Sequence, residues 1–110
     1  MEDLTPAEIE AIKAKHPGEL RAIEALNAWL VFRKPSRHEY DRYIDQVTAD
    51  KSAARKAAWE LAQSCIVHPE AGPAALTTAM DAEPAILLAD ILPAINDLAG
   101  DGREKRRVKL

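Results

Sequence analysis

Proline placement constrains this chain more than any other feature. Its seven prolines, Pro6, Pro17, Pro35, Pro69, Pro73, Pro84 and Pro93, are spread along 110 residues. Proline lacks a backbone N–H and fixes φ. It is therefore tolerated in the first turn of a helix and ends or kinks a helix elsewhere. The chain must be an assembly of short elements. Pro6, Pro73 and Pro84 read as first-turn prolines, and Pro17, Pro35 and Pro69 read as stops. Pro93 falls inside an apolar helical pattern and predicts a kink or break near residues 89–92.

The segments between these marks read mainly as helices. Thr5-Pro6-Ala7-Glu8 has the form of a capping box, with Ile9 and Ile12 following and His16-Pro17-Gly18 closing the helix. Ser36-Arg37-His38-Glu39 is a second capping box, and Tyr40, Tyr43, Ile44 and Val47 form a narrow apolar stripe after it. Over residues 51–67, Ala54, Ala57, Ala58, Leu61 and Cys65 share one stripe and Trp59, Ala62 and Ile66 lie beside it. So wide an apolar arc predicts a central helix, ended by His68-Pro69. Helices are also expected over residues 73–80 and 84–98. The second has a broad face of Leu87, Leu88, Ile91, Leu92, Ile95 and Leu98, with Gly100 as its C-cap.

Residues 19–34 give two local readings. Leu20, Ile23, Asn27 and Leu30 have helical spacing, and Ala, Leu and Glu favour helix in the first half. Trp29-Leu30-Val31-Phe32 instead favours strand, which would make a hairpin of residues 20–24 and 28–33 with Asn27 in the turn.

Charge is distributed unevenly. Residues 101–110 hold five basic and two acidic side chains, and the other hundred residues hold ten basic and sixteen acidic ones. Residues 1–100 are expected to form one acidic domain and 101–110 a basic, flexible tail. An acidic body repels DNA, so no nucleic-acid partner is expected. The one cysteine, Cys65, has no partner for an internal disulfide, which fits a reducing cytoplasm. The acidic start does not resemble a signal peptide, and the apolar run over residues 84–92 is too short to span a bilayer.

Reactive constellations are incomplete. Cys65 and His68 have CxxH spacing, but a zinc site needs three or four ligands and no second pair exists. On its apolar stripe Cys65 is expected to be a packed core thiol. His38, Glu39, Asp41 and Asp45 crowd a helix start but do not converge as a metal site. Arg33-Lys34-Pro35-Ser36-Arg37 is a short basic linker ahead of an acidic helix: it could grip phosphate at the helix start, but reads first as a solvated connection whose charges pair with neighbours. Phosphate-loop, dinucleotide and nucleophile-turn motifs are lacking, so neither catalysis nor a cofactor is expected.

The order of these signals resembles the small tail assembly chaperone family of tailed bacteriophages and prophages. The run from Leu4-Thr5 through Glu8-Ile9 to Lys13-Ala14-Lys15-His16 is similar to that family's opening helix. Val31-Phe32-Arg33-Lys34-Pro35-Ser36-Arg37-His38-Glu39-Tyr40-Asp41-Arg42-Tyr43 resembles its step from hairpin through proline and Ser-Arg to helix. Leu61-Ala62-Gln63-Ser64-Cys65-Ile66-Val67-His68-Pro69 resembles its central helix. A Pro-led apolar helix then closes on Leu98-Ala99-Gly100, before a basic end finishing Val108-Lys109-Leu110.

The resemblance implies an α+β fold, mainly helical, with about five helices and one short hairpin near residues 19–34. An all-α fold is the alternative. It also implies a protein of the host bacterial cytoplasm, absent from the mature virion. There it would bind the tape-measure protein and keep it soluble while the tail tube assembles, with the tube subunit as a second candidate partner. No membrane partner is expected, and a homo-oligomer is left open. Candidate contacts are the aromatic anchors Trp29, Phe32, Tyr40 and Tyr43 and the basic Arg103, Lys105, Arg106 and Arg107. The rival readings are a virion structural or head–tail connector protein and a small regulatory DNA-binding protein.

Overall fold

The computed structural model describes residues 4–25 and 28–100. Helix α1 is Pro6–Lys15, and its capping box is complete: Thr5 Oγ1 accepts from the Glu8 backbone N–H and Glu8 accepts from that of Thr5. Strands β1 (Leu20–Glu24) and β2 (Trp29–Arg33) form the hairpin. Then come α2 (Arg37–Ala49), a short 3-10 turn at Lys51–Ala53, α3 (Ala54–Cys65), β3 (Ile66–His68) and α4 (Pro73–Ala82). A π-helical turn at Leu87–Ile91 leads into α5 (Leu92–Leu98). The fold is α+β and mostly helical, with five α-helices among the described residues.

Residues 19–34 are therefore a hairpin, and the all-α alternative falls. Leu20 pairs with Arg33 and Glu24 with Trp29, and Ala25 N–H donates to the Ala28 carbonyl at 2.8 Å to close the loop. Asn27, expected in the turn, lies outside the described residues. Tertiary packing explains why strand wins over helix propensity. Alternation puts Ile23, Leu30 and Phe32 on one face of the sheet, where Leu30 and Phe32 are fully buried. Burying each such side chain contributes about 1.5–3 kcal/mol, more than the few tenths per residue at stake in helix propensity.

The structure corrects the helix expected over residues 51–67. It ends at Cys65, and Ile66–His68 becomes a third strand antiparallel to β2, giving the order β1-β2-β3. Phe32 aligns with Ile66 and Val31 with His68, across a bulge between Val31 and Phe32. Two causes act together. Pro69 disfavours helix in the residue before it, and buried β2 needs partners for its backbone N–H and C=O groups.

Pro93 acts at the place expected. A regular α-helix would drive its ring into the carbonyl of Ala89 and leave that oxygen without its donor. The chain instead widens one turn, so that Leu92 N–H donates to the Leu87 carbonyl. Regular helix continues to Leu98, and Gly100 follows with a φ of +98°, a conformation suited to glycine.

One core results. Helices α3 and α5 cover the Leu30 and Phe32 face of the sheet, and α2 packs on α3. Ala58, Leu61, Ala62 and Cys65 from α3 meet Leu76 from α4 and Leu87, Ile91, Ile95 and Leu98 from the last segment. Arg21 on β1 pairs with Asp97 on α5 at 3.2 Å, tying the hairpin to the final helix. Helix α1 is peripheral: it has no buried residue, and its Lys15 pairs with exposed Glu70 at 3.8 Å. The basic tail lies outside the described residues.

Candidate functional site

The four aromatic candidates have different fates. Phe32 is fully buried between α3 and the central strand, so it cannot meet a partner while the core is closed. Tyr40 and Tyr43, one turn apart on α2, are half-buried against the same core. Their rings tilt at 45° with centroids 5.9 Å apart, and the Tyr40 hydroxyl donates to Asn96 Oδ1 on α5 at 3.1 Å. Burial pushes the Tyr43 hydroxyl above its ordinary pKa. These two tyrosines thus hold α2 to the body, and only their outer edges are available. Trp29 is half-buried at the start of β2, on the face opposite Leu30 and Phe32. Its indole N–H is buried, and no acceptor among the described residues meets it. Arg103, Lys105, Arg106 and Arg107 lie outside the described residues.

Two of the linker charges, Arg33 and Arg37, pair with neighbours. Arg33 donates from Nη1 and Nη2 to Glu39 Oε1 and Oε2 at 2.8 and 2.9 Å, and from Nη2 to the Ser64 carbonyl at 2.7 Å. Glu39 also accepts from the Ser36 backbone N–H at 2.8 Å, completing the α2 capping box with Ser36. The Arg33 guanidinium, and then the Ser36 N–H, hold the Glu39 carboxyl down to about 2. Arg37 pairs with Asp41 at 3.6 Å on an exposed face. Bidentate Arg33 therefore joins β2, α2 and α3 at one point and is not free to grip a phosphate.

Cys65 and His68 fall on different elements, α3 and β3. The thiol is fully buried on α3, and burial pushes its pKa up to about 11, which removes the thiolate needed for attack or metal binding. His68 is half-buried on β3. Among the described residues no three His, Cys, Asp or Glu side chains cluster to hold a metal.

Surface grooves also lie among the described residues. One runs beside Arg33, lined by Lys15, His16, Pro17, Gly18, Glu19 and Lys34. Another lies between α2 and α3 and is mixed in character: Tyr43, Ala57 and Leu61 line it together with His38, Arg42, Gln46, Glu60 and Gln63, and Gln46 donates to Glu60 at 3.2 Å. A further one is mainly apolar. It lies at the junction of α4, the π turn and the start of α3, lined by Met80, Pro84, Ala85, Leu87, Leu88 and Ala89 with Arg55 beside them. Sequence reasoning placed Leu88 on the buried face of the last helix. In the structure it is 43% exposed. The Leu87-Leu88 pair and Pro93 were the available signals, but they do not fix which leucine turns outward.

No curated protein matches the chain. The solved structure of the uncharacterised protein rbstp2171 from Bacillus stearothermophilus is similar, with a TM-score of 0.66 and 17% identity over 92% of this chain and 99% of that one. At that identity the likeness concerns the fold alone. The family described as Domain of unknown function (DUF6848) matches residues 19–103, from the first strand past the last helix, and the chain belongs to that family.

Proposed function

We propose that this protein is a tail assembly chaperone of a tailed bacteriophage or prophage, binding the tape-measure protein and keeping it soluble while the tail tube forms. The observation that supports this reading is the hairpin Leu20–Arg33. Local propensity favoured helix in its first half, whereas the resemblance to tail assembly chaperones implied strands. The same resemblance implied the helical body that follows. The chemistry required is also modest. A chaperone of this kind needs an apolar surface that shields partner segments, and it needs no catalytic group. Among the described residues no helix is long and apolar enough to cross a membrane.

The reading is tested by quantitative mass spectrometry of infected or induced cells and of mature particles from the same culture. The chain is expected in lysates, co-purifying with the tape-measure protein, and depleted from particles. Stoichiometric recovery in mature particles would instead favour a connector or other virion component and overturn the proposal.

A further inference from the structure

We infer that α1 is a displaceable strap: it lies across the outer face of the sheet, over Val31 and beside His68, and opens while the body of the fold stays intact. Val31 is 4% exposed, yet alternation along β2 turns it away from the core, to the face it shares with Trp29. Neither side chain belongs to the core cluster that holds Leu30 and Phe32. His68 aligns with Val31 across the β2–β3 ladder and so stands on the same outer face. Three contacts bring α1 there. Thr5, through its backbone N–H and then its hydroxyl, lowers the Glu8 carboxyl, and His68 lowers it further, so Glu8 lies near β3. Ile12, one turn on from Glu8, is half-buried. Lys15 pairs with Glu70 beyond the end of β3 at 3.8 Å.

The hold is weak. Within α1 only Ile12 is half-buried, with Leu4 and His16 flanking the helix, and Ile9 is 37% exposed. Lys15 and Glu70 are largely exposed, and an ion pair of this kind contributes little and is screened by salt. Among the described residues no other element packs closely along α1. Its capping box satisfies its own first turn, so its order is local. A ten-residue helix without tertiary support is marginal in water, so detachment and unwinding go together. The body keeps its core without α1: Leu30, Phe32, Ile91 and Ile95 are enclosed by other elements. The family model likewise begins at residue 19, after the strap. Opening therefore breaks few contacts and uncovers Val31. This inference is independent of the chaperone reading.

The first measurement is hydrogen exchange of the full wild-type chain. The amides of residues 9–16 are hydrogen-bonded within α1, from Ile9 to the Thr5 carbonyl through His16 to that of Ile12. They are expected to be protected less than about a hundredfold, and the amides of β2 and α3 to exchange at least about a thousandfold more slowly than these. The second measurement places a thiol under the strap. Val31→Cys is expected to react with an aromatic disulfide reagent at least about tenfold faster than buried Cys65 of the same chain, with peptide mass spectrometry assigning each label. Adding Ile12→Asp, which removes the apolar contact of the strap, is expected to raise the rate at position 31 about tenfold and to leave that of Cys65 unchanged. Circular dichroism and thermal midpoints establish that each variant is folded.

Protection of residues 9–16 equal to that of β2 would overturn the strap, because α1 would then open only with the whole fold. Fast exchange in α1 combined with labelling at position 31 as slow as at Cys65 would show that the helix does not cover Val31, and would overturn it too. So would fast labelling at position 31 that Ile12→Asp leaves unchanged. The exchange measurement needs no substitution, so it decides the matter even where Val31→Cys fails to fold.

Discussion

Glu39 is the residue on which most of the local order converges. It caps α2 through Ser36 and receives both arms of Arg33, which also reaches the Ser64 carbonyl. Its carboxyl is depressed to about 2, whereas an unfolded glutamate titrates at about 4.3. A depressed acid stabilises the fold above its unfolded pKa and ceases to do so as pH falls through its folded pKa. Stability should thus decline between about pH 4.5 and 2 from this group alone, by on the order of 2 kcal/mol after allowing for partial solvent screening. Glu39→Gln should lower the urea midpoint at pH 7 by a matching amount, and the difference from wild type should vanish near pH 2. A constant difference across that range would show that the carboxylate charge is not what matters. The same scale holds a prediction for Cys65. Fully buried and with its pKa raised to about 11, the thiol should react with an aromatic disulfide reagent only on unfolding, so native labelling should be slow and urea should accelerate it by orders of magnitude.

Single elements were legible in the sequence where a local rule decided them, and were not where packing did. Both capping boxes are formed as Thr5–Glu8 and Ser36–Glu39 foretold, because each involves only four consecutive residues. Pro93 disturbs its helix as its missing N–H requires, although the sequence did not specify that the disturbance would be a π turn. The end of α3 was not legible. Ile66 continues the apolar stripe of Trp59 and Ala62, and only the position of Phe32 and Val31 beside it makes strand the better choice. The aromatic candidates illustrate the same limit. Aromatic side chains serve equally as anchors and as core, and the central strand assigns Phe32 to the core. Phe32→Ala should cost about 3–5 kcal/mol, a large share of the stability of a domain this small. Leu88→Ala, at an exposed site, should shift the thermal midpoint little. A Phe32→Ala protein as stable as wild type would contradict the register of the sheet.

At the scale of the whole molecule, the groove could not be read from the chain because its lining is brought together from distant segments. Arg55 lies in the first turn of α3, whereas Met80 lies in the last turn of α4 and Leu87, Leu88 and Ala89 belong to the π turn some thirty residues on. The mainly helical character was legible in capping and proline placement, whereas the hairpin that makes the fold α+β was implied by the family resemblance alone, local propensity leaving residues 19–34 open. The binding surface depends on which apolar side chains the core leaves over. Most are consumed: Leu30, Phe32, Leu76, Ile91 and Ile95 are fully buried, and Leu88 is among the few large apolar side chains left outside. The proposed chaperone role would draw on what this core leaves exposed. The most direct measurement is the soluble fraction of a phage tape-measure protein, expressed alone and with increasing amounts of this chain. If the proposed chaperone role holds, the soluble fraction rises with the dose of this chain and saturates at a fixed stoichiometry. A tape-measure protein that stays insoluble at every dose would contradict it.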